Sequence, residues 1–134
     1  MSVFTDKWID EHKDELVEKL QQCVRINSVR DDGSAREGAP FGEGAAKCLE
    51  DTLNTAKAMG FEVKNLDGYC GTVDYGTGEE QLGILAHLDV VPEGEGWTYP
   101  PYAAEIHDGR LYGRGTMDDK GPAFAALFGL AAVK

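Results

Sequence analysis

Apolar side chains recur at helical spacing in the first part of the chain and predict two amphipathic helices. The first helix is expected over residues 5–24 and the second over residues 41–59, with polar side chains between the apolar ones. Residues 27–40 are rich in serine, aspartate, glycine and proline, which predicts a loop between these helices. Gly60 is expected to end the second helix.

Patterns typical of strands follow. Two hairpins are expected around Asp67-Gly68 and Asp108-Gly109, because alternating apolar and polar residues flank both pairs. Residues 82–86 are continuously apolar, which predicts a central strand covered on both faces. The order of elements predicts an α/β fold in which helices pack on a mixed sheet.

The last segment predicts a buried helix. Gly121-Pro122 can open a helix, and residues 123–133 have no polar face. A helix that is apolar all round must be buried on every side. Because a domain rarely ends on its most buried helix, residues 1–134 are expected to be the N-terminal piece of a longer protein.

The composition excludes several partners and locations. With 24 acidic and 13 basic residues the formal charge is −11, which repels nucleic acid and anionic membranes. Neither a secretory signal nor a membrane-spanning stretch is visible, so a cytoplasmic location is expected. Cys23, Cys48 and Cys70 lack the close spacing of a zinc site or a disulfide framework, and we expect buried or half-buried free thiols in a reducing compartment.

Two short segments carry the candidate chemistry. His87 and Asp89 follow the apolar segment, and residues two apart in a strand point to one side, about 6–7 Å apart. The carboxylate could then fix the imidazole tautomer and leave the other nitrogen for a metal, although a pair formed for packing is an alternative. Asp118 and Asp119 lie in a glycine-flanked loop before the last helix, where a bridging carboxylate or a charged capping loop fits.

Together the two segments resemble the M20 metallopeptidase family, and within it the PepV-like dipeptidase branch. The matching text lies in residues 83–92 (G-I-L-A-H-L-D-V-V-P), 94–97 (G-E-G-W), 109–115 (G-R-L-Y-G-R-G) and 118–122 (D-D-K-G-P). The resemblance implies that residues 1–134 are the N-terminal portion of a zinc-binding catalytic domain. The rest of that domain and the lid domain would then be absent.

The resemblance also implies a role for each site residue. His87 would bind one zinc ion, and Asp89 would be the catalytic residue that orients His87 and raises its basicity. Asp118 would bridge the two zinc ions of a complete site. Asp119 would hold no metal, and the peptide bond between Asp118 and Asp119 would be cis.

The implied function is zinc-dependent hydrolysis of dipeptides by the full-length parent. The family's glutamate base and further ligands have no match here, because Glu79-Glu80 precedes His87 and lies in a turn. His12 and His107 are expected to be surface or edge histidines. The isolated chain is therefore expected to be inactive and to hold metal weakly.

Two alternatives stay open. An N-acyl amino acid deacylase or a desuccinylase of the same family would use the same metal residues. A non-catalytic fragment or remnant would keep the fold without the activity. An incomplete sheet with an uncovered terminal helix could also lead to self-association.

Overall fold

The computed structural model describes residues 3–134, and Met1 and Ser2 lie outside the described residues. Within this range the chain forms three α-helices and two β-hairpins. The helices are α1 (Val3–Val24), α2 (Glu43–Ala58) and α3 (Lys120–Ala132), and the strands are β1 (Glu62–Leu66), β2 (Cys70–Asp74), β3 (Glu105–His107) and β4 (Arg110–Tyr112). None of the helices in residues 3–134 is long and apolar enough to cross a membrane.

Both predicted amphipathic helices are present, within two residues of their predicted bounds. Each helix turns its apolar face toward the core, because hydrophobic side chains at helical spacing lie on one side of the helix and are removed from water there. The main core lies where the three helices meet. Its buried members are Leu20, Cys23, Val24, Cys48, Ala104, Phe124 and Phe128.

The strands form two separate antiparallel pairs. Strand β1 pairs with β2, and β3 pairs with β4. Asp108 and Gly109 have φ values of 50° and 71°, the left-handed conformation that a two-residue hairpin turn requires. The predicted hairpins are therefore confirmed, and the combination of helices and strands agrees with the predicted α/β class.

The predicted central strand over residues 82–86 is wrong for the structure described here. Leu82 and Leu85 are 91% and 99% exposed, and the segment belongs to no strand. An apolar strand is buried on both faces only where neighbouring strands and covering layers exist, and residues 3–134 place neither against it. Pairing begins only at Val90, which forms an isolated parallel bridge with Val29. The expected mixed sheet is thus represented by two hairpins and this bridge.

Helix α3 also departs from the expectation of burial on every side. One of its faces is buried through Phe124, Leu127, Phe128 and Ala132. Val133, just beyond its end, is 64% exposed, and Ala125 is exposed as well. The described part of the chain covers one face of the helix, and residues of α1, α2 and the β1–β2 hairpin belong to the clusters that bury this face.

Two glycines in α3 give a test of how tightly its first turn packs. A Cβ atom on Gly121 would lie 2.0 Å from the carbonyl oxygen of Thr116, whereas one on Gly129 would meet no atom within 4 Å. We expect Gly121→Ala to lower the free energy of unfolding by roughly 2 kcal/mol, because the backbone must shift to admit the methyl group. Urea unfolding followed by circular dichroism measures the change.

Gly129→Ala is the matched control in the same helix. It should raise the free energy of unfolding by roughly 0.5–1 kcal/mol, since alanine favours a helix where space is open. Equal effects of the two substitutions would contradict the close approach at Gly121.

Candidate metal centre

The segment that carries His87 and Asp89 is held by the chain that follows α1. Ser28, which is fully buried, donates its hydroxyl to the carbonyl oxygen of Leu88 at 2.7 Å. The backbone N–H of Val90 donates to the carbonyl of Ser28 at 3.3 Å. These bonds fix the backbone on both sides of Asp89, so the irregular segment has a defined position without a neighbouring strand.

The loop that carries Asp118 is anchored through the residue that opens α3. The Lys120 ammonium is fully buried and donates to the carbonyl oxygens of Cys23 at 3.0 Å and Ile26 at 2.8 Å. A buried cation needs such acceptors, because its desolvation is otherwise strongly unfavourable. The end of α1 therefore holds the start of α3, and with it the Asp118 loop.

The two segments approach each other closely at Gly115. Its φ of +89° favours glycine, and a Cβ atom there would lie 2.9 Å from a methyl carbon of Val90. The peptide bond between Asp118 and Asp119 is cis, as the resemblance implied, and that expectation is confirmed. The close approach brings the Asp118 loop beside the segment of His87 and Asp89.

His87 contacts both predicted partners. Its Nε2 atom lies 3.0 Å from Oδ1 of Asp118. Its Nδ1 atom lies 3.1 Å from the carbonyl oxygen of Asp89 and 3.3 Å from Oδ1 of the same residue. The side chains of His87, Asp89 and Asp118 are 50%, 63% and 89% exposed, so the three residues meet at the protein surface.

The hydrogen-bond acceptors around the His87 ring indicate which of its two nitrogens carries a proton. A backbone carbonyl oxygen can only accept, so Nδ1 of His87 carries a proton and donates it to Asp89. The Nε2 atom then faces the Asp118 carboxylate with either a second proton or a lone pair that can bind a metal ion. Both the carbonyl and the carboxylate of Asp89 favour this tautomer, as is usual for the partner of a metal-binding histidine.

The pKa of His87 is raised above its ordinary value. Burial acts in the opposite direction, but the hydrogen bond to Asp118, the bond to the Asp89 carbonyl and the charges of both aspartates together outweigh it. Protons and metal ions would therefore compete for the Nε2 position. Both are cations that the Asp118 carboxylate attracts.

Three positioning residues were missed by the sequence analysis. Asp119, to which we assigned no metal, accepts a hydrogen bond from the backbone N–H of His87 through Oδ2 at 3.2 Å. Lys120 and Ser28 hold the two segments in place through hydrogen bonds to backbone carbonyl oxygens. Asp119 and Lys120 lie in the D-D-K-G run, whose position beside Asp118 could have indicated them. Ser28 lies in the loop after α1 and has no such signal.

The other histidines lie outside this centre. His107 stacks on Tyr99 with ring centroids 3.8 Å apart and bonds to Glu105 at 2.7 Å. His12 stacks on Trp8 with centroids 3.9 Å apart and contacts its carbonyl oxygen. Both rings are thus occupied by local aromatic contacts.

The donor set fits part of a zinc shell. An imidazole nitrogen and a carboxylate oxygen are ligands that zinc prefers, and at 3.0 Å the two can face one ion. Residues 3–134 contain no group of three or more His, Cys, Asp or Glu side chains placed to hold a metal ion. These residues therefore offer an incomplete set of protein ligands.

Removal of the Asp118 charge should be visible at His87. We expect Asp118→Asn to lower the pKa of His87, because the carboxylate that favours the imidazolium is neutralised. Since the folded pKa is raised, the contact stabilises the fold below the unfolded pKa and ceases to do so as pH rises through the folded pKa. Titration of the ring C–H resonances by NMR in a chelator-containing buffer measures the shift.

Asp108→Asn is the matched control for that titration. It removes the same charge from the β3–β4 turn, where Asp108 makes no hydrogen bond to His87 in the described structure. The control should leave the His87 titration unchanged. A pKa in Asp118→Asn that equals or exceeds the unsubstituted value would refute the assigned contact.

Comparisons with known proteins agree with this arrangement. Residues 83–134, which include all three site residues, match the family described as Peptidase family M20/M25/M40. The chain is 48% identical over 122 residues to "Putative dipeptidase YtjP" of Bacillus subtilis (strain 168), which covers 91% of this chain and 26% of that protein. It is 42% identical over 123 residues to "Beta-Ala-Xaa dipeptidase" of Lactobacillus delbrueckii subsp. lactis, again with 91% and 26% coverage.

The fold comparison also finds a dipeptidase. The structure resembles the crystal structure of human carnosine dipeptidase 1 with a TM-score of 0.64 and 28% identity, over 96% of this chain and 31% of that chain. The chain spans about a quarter of the length of the two curated relatives. Residues 83–134 are thus similar to the M20 family of peptidases, and the chain as a whole is similar to dipeptidases in sequence and in fold.

Proposed function

We propose that this chain supplies part of a two-zinc active site that hydrolyses dipeptides. The observation that carries the proposal is the approach of His87 Nε2 to Asp118 Oδ1 at 3.0 Å within a segment that matches a peptidase family. The names of the two curated relatives and of the similar solved structure favour dipeptides over N-acyl amino acids as substrates.

In this proposal each site residue has a distinct task. His87 would hold zinc through Nε2, and Asp118 would supply a carboxylate ligand beside it. Asp89 keeps the proton on Nδ1 and so directs the Nε2 lone pair outward, while Asp119 holds the backbone of His87. Bound zinc supplies Lewis acidity toward the peptide carbonyl and makes a water molecule a better nucleophile at neutral pH.

The proposed reaction also needs a general base, which residues 3–134 do not bring to this centre. Glu79 and Glu80 are exposed and lie in the turn region before His87. We propose that the base and the remaining ligands belong to the rest of the catalytic domain of the parent protein, and that its lid domain supplies substrate contacts. We also propose a cytoplasmic location, which the three free thiols support.

Zinc binding tests the ligand assignment. We expect the chain to bind zinc weakly, because two protein ligands leave a tetrahedral shell incomplete. His87→Ala and Asp118→Ala should each remove this binding, whereas His12→Ala, which deletes an imidazole outside the centre, should retain it. Equilibrium dialysis with metal analysis gives the occupancy.

Two results would count against the assignment. Stoichiometric zinc that survives dialysis against a mild chelator would contradict the incomplete shell. Unchanged zinc binding in Asp118→Ala would contradict the role of this carboxylate.

An activity assay tests whether the chain contains only part of the active site. We expect the 134-residue chain with zinc to hydrolyse dipeptides, including β-alanyl dipeptides, no faster than zinc alone, because no base faces the centre. Liberated amino acids are measured by amine-specific derivatisation and chromatography. Hydrolysis that Asp118→Ala abolishes would show that the chain is catalytically complete and would refute the proposal.

The gene sequence beyond the codon for Lys134 distinguishes a partial site from a remnant. A continued reading frame that encodes adjacent glutamates after a strand supports the dipeptidase proposal. The extended protein should then hydrolyse dipeptides with zinc and lose this activity in Asp118→Ala. A stop codon at that place would favour a non-catalytic remnant.

A further inference from the structure

Two buried thiols from different helices lie side by side in the main core. Cys23 is on α1 and Cys48 is on α2, and their Sγ atoms are 3.4 Å apart. Their residues are 4% and 0% exposed, and both thiols are free. Neither residue takes part in the proposed metal centre, so the pair has no assigned role.

The surroundings of the pair favour the thiolate, which is the reactive form of a cysteine side chain. The Lys120 ammonium is hydrogen-bonded to the carbonyl oxygen of Cys23, which places a positive charge beside the sulfurs. The hydrogen bond with Cys23, assisted by the Lys120 charge, lowers the pKa of Cys48 to about 7, although burial alone would raise it. Thiolate, not thiol, is the nucleophile in sulfur chemistry.

The distance between the sulfurs suits a covalent bond. A disulfide has an S–S length of about 2.05 Å, so the two Sγ atoms must approach by about 1.4 Å for the bond to form. The pair is also reachable. A cavity of about 270 Å³ between α1 and α2 is lined by Cys23 together with Gln22, Thr52 and Thr55. Its size admits a molecule as small as hydrogen peroxide.

We propose that Cys23 and Cys48 form a reversible disulfide that links α1 to α2 when the protein meets hydrogen peroxide. Cys48 is the thiolate, because Cys23 donates a hydrogen bond to its sulfur, and peroxide reaches the pair through the cavity that Cys23 lines. The Cys48 sulfur attacks one peroxide oxygen, the O–O bond breaks, and hydroxide leaves and becomes water by taking a proton. Cys48 is then a sulfenic acid.

The second step closes the disulfide. The Cys23 sulfur attacks the sulfenic sulfur of Cys48, the S–O bond breaks, and the hydroxyl group leaves as water with the Cys23 proton. Two thiols lose two electrons in total, and one peroxide gains them. The products are one disulfide and two water molecules.

The modification reaches the metal centre through one contact. The Cys48 thiol lies 3.7 Å from the carbonyl oxygen of Leu88, the residue between His87 and Asp89, and donates a weak hydrogen bond to it. A disulfide has no S–H group, so this bond is lost and Ser28 is left as the side-chain donor to Leu88. Oxidation should therefore shift the His87 ring resonances in NMR spectra.

Thiol mapping of the reduced 134-residue chain tests the disulfide. The chain is treated with hydrogen peroxide, quenched with catalase, denatured and alkylated with N-ethylmaleimide. We expect intact mass spectrometry to show two thiols lost with two hydrogens, and a non-reducing peptide map to show Cys23 joined to Cys48 with Cys70 alkylated. Dithiothreitol should restore three reactive thiols.

Two variants sharpen the test. Cys70→Ser should form the same disulfide, because Cys70 is exposed whereas the two thiols of the pair are buried in contact with each other. Cys23→Ser should lose the disulfide and accumulate a Cys48 sulfenic acid that dimedone traps. If Cys23→Ser does not fold, the peptide map of Cys70→Ser decides alone. Unmodified Cys23 and Cys48 beside an oxidised Cys70, or disulfides that contain Cys70, would overturn the proposal.

Discussion

The buried ammonium of Lys120 is the interaction on which the described structure depends. It donates to the carbonyl oxygens of Cys23, in the last turn of α1, and Ile26, just after this helix, and it is also the first residue of α3. A single side chain thus joins the two helices that form much of the core and fixes the loop that carries Asp118. An uncharged side chain of similar length would fill the volume but leave both carbonyls without this donor, and a buried unpaired carbonyl is unfavourable by about 1–3 kcal/mol.

The metal centre combines a rigid support with exposed ligands. Below it, Ser28 is fully buried and bonded to Leu88, and Gly115 lets the two segments touch. Above it, the Asp118 side chain is 89% exposed. Contacts of the backbone fix the position of the two segments, whereas the ligand side chains stay accessible to solvent. Functional loops on a stable scaffold are commonly built in this way. It also explains why few contacts hold the ligands themselves in the described residues.

Local patterns were predictable because their causes are local. Helical periodicity predicted α1 and α2, and the Asp108-Gly109 pair predicted a hairpin, since both depend on residues a few positions apart. His87, Asp89 and Asp118 were singled out as one group, and the structure brings them together. The contacts of Lys120 could not be read from sequence, because they join residues 94 and 97 positions apart. The exposure of Leu82 and Leu85 escaped prediction for the same reason, since burial is a property of partners and not of the strand alone.

The close packing at Gly115 has a consequence for protein engineering. His87 and Asp118 belong to segments about thirty residues apart, and their spacing depends on the close approach of Gly115 to the Val90 side chain, where a Cβ atom would lie 2.9 Å from a methyl carbon. If the three site residues alone were transplanted into another scaffold, they would therefore keep their chemical groups but lose the contacts that set their spacing. The smallest transferable unit is the site together with Ser28, Gly115 and Lys120, because these residues set the distance at which the imidazole and the carboxylate meet.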